Sequence, residues 1–146
     1  ARQYHRVLLD LGERVDAAIM RFASGAADDL LVMTPDPAAL TDAYAFAKLL
    51  ANKSAGRKPS IIVNMAAGES EARRTADALI AVAQNFLKLE PEYLGSIPRD
   101  AHALTSVRRQ MSLLTLYPQS AAARAIETIA RKLAGRELKP ASAKSA

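Results

Sequence analysis

"LLVMTPDPAALTDAYAFAK", Leu30 to Lys48, joins a short apolar run, two prolines around an aspartate, and a long alanine-rich stretch. The run "LLVMT" does not alternate polar with apolar residues, which fits a strand covered on both faces. Pro35 has no amide hydrogen for a sheet ladder, so pairing ends at Thr34. Asp36 can cap the next helix through its carboxylate, and Pro37 suits a first helical position, where no amide hydrogen is needed. The stretch predicts a sharp strand-to-helix corner, with the helix running from Pro37 to Asn52. Such corners lie at the carboxyl edge of a parallel sheet, where ligands of open α/β folds bind. On spacing alone, a well-capped loop without chemistry is the favoured reading.

The same rhythm recurs on either side. "RVLLDL" (Arg6 to Leu11) precedes a helix-like stretch from Asp16 to Ser24, and "SIIVNM" (Ser60 to Met65) precedes a helix from about Glu69 to Leu87. "EYLGSIP" (Glu92 to Pro98) precedes helical stretches near Ala101 to Met111 and Ser120 to Leu133. Strands alternating with helices give βαβ units with right-handed crossovers. The class is therefore α/β: a mostly parallel sheet of about four or more strands, flanked by helices. One domain is expected over residues 1–138, and the polar, small-residue tail 139–146 reads as disordered.

Composition narrows the chemistry. Half of the 146 residues are apolar but only 5% are aromatic, so alanine and aliphatic packing must dominate. The absence of cysteine excludes a disulfide framework, a thiolate metal site and a cysteine nucleophile. No apolar run approaches a membrane span and no secretory signal opens the chain, so the cytoplasm is the expected compartment. A net charge of +5 without basic–aromatic interleaving points to solubility and attraction to acidic surfaces; nucleic-acid binding is not supported.

Candidate site residues converge on the carboxyl edge. Asp10 closes the first run, Pro35 follows the second, Asn64 ends the third, and Pro98, Arg99 and Asp100 turn the chain after the fourth. An aspartate at the end of a buried strand suits a magnesium ligand, directly or through water. A lone asparagine is more often a cap or turn residue, and Arg99–Asp100 also reads as an ordinary turn and helix cap. His5 and His102 have no partner at metal-ligand spacing, and Ser24, Ser54 and Ser70 lack the glycine context of a nucleophile elbow. Ile126, Ile129 and Leu133 recur at helical spacing within 120–138, as in a helix packed on the domain or lying on a membrane surface. A phosphoacceptor receiver domain is also considered, because "VLLDL", "LLVMT" and "RKPS" mimic its order of aspartate, threonine and lysine-proline. Lys58–Pro59 precedes a strand, however, where a receiver's lysine ends one, and an earlier acidic pair is missing.

"LLDLG", "VMTPDPAALTDAYAFAK", "IIVNMA", "YLGSIPRD" and "VRRQMSLLTLYPQSAAARAI" together resemble the C-terminal part of the MinD/ParA superfamily, within it the FlhG (FleN, YlxH) branch. The resemblance implies part of a P-loop NTPase fold and, in the intact protein, binding of ATP and magnesium. It implies Asp10 as the Walker B aspartate on the magnesium side, Asn64 as an adenine contact, and Pro98, Arg99 and Asp100, with Pro35, as a wall for base and ribose. It further implies a homodimer formed with nucleotide, a flagellar partner (an FlhF-like GTPase or a transcription regulator) and peripheral membrane contact through 120–138. Two departures stand out. Asp10 is followed by Leu11, Gly12, Glu13 and Arg14 where the family reads Asp-Thr-Gly-Ala-Gly, and none of the six glycines begins a G-x-x-x-x-G-K-[ST] loop. A fragment of a longer ATPase is the expectation, inactive alone; the alternative is a non-catalytic α/β interaction module without a P-loop.

Overall fold

Proline and aspartate shape the corner after Met33 as the sequence predicts. The Asp36 carboxylate accepts the Ala39 amide at 2.9 Å and the Thr34 hydroxyl, and the helix starts at Pro37. The computed structural model describes residues 6–12, 17–53 and 58–136. Its elements are α1 (Ala17–Gly25), β1 (Leu30–Met33), α2 (Pro37–Lys53), β2 (Ser60–Ala66), α3 (Glu69–Val82), β3 (Glu92–Pro98), α4 (Ala101–Arg108), α5 (Leu113–Leu116) and α6 (Ala121–Ala134). A π-helical turn, Ala83–Leu87, extends α3, and Lys88 ends it in a left-handed conformation with φ 55°.

The three strands run parallel in the order β1-β2-β3, with Leu30 opposite Ser60 and Met33 opposite Val63. Alternate residues face opposite ways. Leu31, Met33, Ile61 and Val63 meet Ala47 of α2 and Ala72, Ala76 and Leu79 of α3 in the main core. The alanines let these helices lie close to the sheet. On the other face Ile62, Leu94, Leu30 and Ile97 meet Ile129 and Leu133 of α6. Leu50 joins Met20 and Ala23 of α1 in a smaller cluster. The α/β class with a parallel sheet and helices on both faces is therefore the fold.

One irregularity in β3 organises both faces. Ile61 pairs with Tyr93 but Ile62 pairs with Gly95, so Leu94 is an extra residue, a β-bulge. The alternation slips by one there. Leu94 and Ile97 then turn toward α6, while Tyr93 and Ser96 turn toward α3. Gly95 adopts φ +159°, and a Cβ placed on it would lie 3.2 Å from Ile129 Cγ1.

Two expectations change. "RVLLDL" does not form a strand: residues 6–12 are coil, with Val7, Leu8 and Leu9 exposed at 58%, 86% and 54%. An apolar run becomes a strand only by sharing backbone hydrogen bonds with a neighbour, and this run pairs with none of the three. The described sheet thus has three strands where about four or more were expected. The segment is instead held at its ends. Arg6 donates to the carbonyls of Leu133, Ala134 and Arg136 at 2.7, 3.0 and 2.7 Å, capping α6, and Leu11 packs on the α1–α2 cluster. As for the last helix, Ile129 and Leu133 are engaged by the sheet, so the apolar side of α6 is packed on the domain. His5, Ser54, residues 137–138 and the tail 139–146 lie outside the described residues.

Gly95→Ala should destabilise the fold by about 1–3 kcal/mol in urea unfolding, through backbone strain and the Ile129 contact. In an Ile129→Ala background the added loss should be smaller, since the clash partner is gone; an undiminished loss would discount the contact.

Candidate functional site at the carboxyl edge

Parallel strands bring the ends of β1, β2 and β3 to one edge, and the sequence places polar residues at each. Asn64 pairs with Ile97 and Ala66 with Pro98, so Asn64, Pro98 and Arg99 become neighbours at adjacent strand ends. The Arg99 amide closes this end by donating to the Ala66 carbonyl at 2.9 Å. Met65, between Asn64 and Ala66, takes φ 59°, a left-handed turn at a second register shift. The Asn64 Oδ1 accepts the Met65 amide at 2.9 Å, which fixes the side chain and leaves its NH2 group available as a donor. Pro35 follows β1 at the same edge.

Asp100 holds the neighbouring helices. Its carboxylate accepts the His102 amide at 2.9 Å, capping α4, and the Ala122 amide at 3.1 Å, capping α6 from a distance of 22 residues. The His102 ring lies 2.9 Å from the same carboxylate and stacks tilted on Tyr117, with centroids 4.4 Å apart. Two helix N-termini thus converge on one carboxylate. The Ala122 and His102 amides, then the His102 ring, hold the Asp100 carboxyl at about 2. This aspartate, expected in a base-and-ribose wall, is occupied with positioning α4 and α6.

A cleft of about 440 Å³ lies beside β3, between Glu69 and Tyr93 on one side and Arg124 and Lys132 of α6 on the other. Glu69 accepts the Tyr93 hydroxyl at 2.8 Å and the Ser96 hydroxyl at 2.7 Å, one on each carboxylate oxygen. Burial pushes the Tyr93 phenol above its ordinary value, and the Glu69 carboxylate acts in the same direction. Sequence reasoning missed this trio. The signal available was Gly95 inside an otherwise apolar strand, which marks a bulge.

Asp10 is not drawn into the edge cluster by any described contact. It sits exposed in coil, 3.4 Å from the Gly12 amide, beside the Leu11 that packs on α1 and α2. No group of three or more metal-ligating side chains occurs among the described residues, and Asp10 would hold a magnesium ion as a single carboxylate completed by water and phosphate oxygens. No described helix is long and apolar enough to cross a membrane.

The Asp100 carboxyl lies below its unfolded value of 3.8, so its contribution to stability is complete above about pH 4 and fades as the pH falls to about 2. Thermal melts across that window should show a steeper loss for the parent than for Asp100→Asn, which has no carboxyl to protonate. Equal slopes would remove Asp100 from acid unfolding.

No family model matches the chain. Sequence comparison aligns 127 residues at 29% identity with the antiactivator FleN of Pseudomonas aeruginosa, covering 87% of this chain and 45% of that protein. The flagellum site-determining protein YlxH of Helicobacter pylori aligns over 125 residues at 33% identity, covering 85% of this chain and 42% of that protein. The chain spans less than half the length of either relative. Among solved structures, the cell division protein MinD of Aquifex aeolicus shares the fold, with a TM-score of 0.63 and 24% identity over 85% of this chain and 50% of its own. Similarity to FleN and YlxH over about 85% of the chain, on a parallel α/β sheet that shares the MinD fold, supports a MinD/ParA-family, FlhG-like protein.

Proposed function

We propose that this chain supplies the nucleotide-base side of an ATP-controlled switch that regulates flagellar number or placement. The observation that carries the reading is the meeting of Asn64, Pro98 and Arg99 at one sheet edge in a chain similar to FleN and YlxH. An asparagine amide can pair with adenine, its oxygen accepting from the exocyclic amine and its NH2 donating to a ring nitrogen. Asn64 keeps that NH2 group, and Oδ1 has a second lone pair beyond the one used by Met65. Pro98 offers an apolar surface and Arg99, exposed, a guanidinium plane for stacking.

The phosphate side is different. Triphosphate affinity in P-loop proteins comes from backbone amides and a lysine around the phosphates, and this sequence contains no such loop. ATP and magnesium binding, a nucleotide-dependent homodimer and a flagellar partner are therefore properties we assign to the intact regulator. The alternative, an interaction module that uses the fold without nucleotide, makes the opposite forecast for the edge.

A photoreactive azido-adenine nucleotide should label the chain weakly near Asn64 and Arg99, and Asn64→Ala should reduce labelling several-fold. Adenosine should compete nearly as well as ATP, because the base side alone is present, and phosphate release should match the protein-free control. Labelling indifferent to Asn64→Ala favours the interaction module. Micromolar ATP affinity lost on Asp10→Ala would reveal a phosphate site that this reading lacks.

A further inference from the structure

The hairpin formed by α4 and α5 carries apolar side chains that the domain does not use. Within α4 only Ser106 is buried, and α5 buries none of its residues. Leu104 and Val107, one turn apart, are 56% and 71% exposed. Beyond them Gln110 takes φ 53°, and the Gln110 and Met111 amides return to the carbonyls of Val107 and Ser106 at 3.0 and 3.1 Å. This is a Schellman turn, which usually carries an apolar contact between the residue after the left-handed one and the helix's last turn. Here the facing position is Ser106, so Met111 is left 49% exposed, with Leu114 of α5 at 41%. On the α4 wheel Leu104 lies nearly opposite the inward-facing Ser106 and Val107 to one side of it, while Met111 follows the turn that ends the helix.

The charge around this ridge has one sign. No acidic residue stands between Asp100 and Glu127, whereas Arg108 and Arg109 end α4 and both are exposed. We propose that the outward ridge of Leu104, Val107, Met111 and Leu114 docks an acidic amphipathic helix of a protein partner. Its leucine-type face covers the ridge and its carboxylates meet Arg108 and Arg109. The ridge is aliphatic and includes the unbranched, adaptable Met111, a composition suited to helix faces of varied shape. It has none of the tryptophan or tyrosine that anchors a surface in lipid headgroups, and four apolar side chains make a small membrane anchor. Protein is therefore the occupant the chemistry favours over a bilayer.

The test uses the full 146-residue chain and a fluorescent, helix-forming peptide of leucine, alanine and glutamate, about five turns long, with leucines on one face. Fluorescence anisotropy should show binding that weakens at least about tenfold on Val107→Ser and on the Arg108→Glu, Arg109→Glu pair. Raised salt should also weaken it. Both variants alter exposed residues, so circular dichroism should match the parent. A scrambled peptide of the same composition should bind far less, and a version with lysine for glutamate should not bind. Three outcomes overturn the proposal: equal binding of the scrambled peptide, indifference to Val107→Ser, or no binding. Cosedimentation with phosphatidylglycerol vesicles that Val107→Ser abolishes would assign the ridge to membrane instead. Self-association that Val107→Ser abolishes would assign it to a second copy.

Discussion

The bulge at Leu94–Gly95 couples the two faces of the sheet. A strand without it would send Tyr93 and Ser96 to opposite sides, because side chains alternate. With one residue inserted, both hydroxyls reach Glu69, and Leu94 and Ile97 both reach α6. The close approach of Ile129 to Gly95 then seats α6, and Lys132 donates to the Leu94 carbonyl at 2.7 Å beside it. At the far end of α6, Arg136 contacts the Ser60 hydroxyl at 2.7 Å and the Glu92 carboxylate at 3.0 Å, tying the helix to the starts of β2 and β3. A glycine is required at the centre of this arrangement for two reasons, conformation and space.

α6 in turn fixes the carboxyl edge. Its N-terminus and that of α4 share the Asp100 carboxylate, so the turn through Pro98 and Arg99 is held between a packed helix and a strand end. Asn64 and Pro98 sit at the ends of β2 and β3, and Arg99 is the next residue, not part of a long loop. The same anchoring leaves the α4–α5 hairpin attached at its root and uncovered along its outer side.

Much of the fold was legible because its signals are local. Pro35, Asp36 and Pro37 mark a strand end and a helix start within three residues, and the helix they begin reaches Lys53, one residue beyond the expected end. Strand β3 begins and ends where the apolar run does. The first run did not become a strand because a strand depends on a partner that composition cannot reveal. Asn64, Pro98 and Arg99 were legible as neighbours because parallel strands end at a common edge. The Glu69–Tyr93–Ser96 cluster was not, since it follows from a one-residue slip in alternation.

The grip of Arg6 on α6 has a kinetic side. Its three acceptors lie 127 to 130 residues further along the chain. Closing so long a loop is slow and entropically unfavourable until the intervening parts have folded. During synthesis Arg6 emerges well before α6 exists, so Val7, Leu8 and Leu9 remain unanchored while the sheet assembles. Docking of Arg6 therefore belongs to a late stage of folding, and Val7, Leu8 and Leu9 stay exposed even after it.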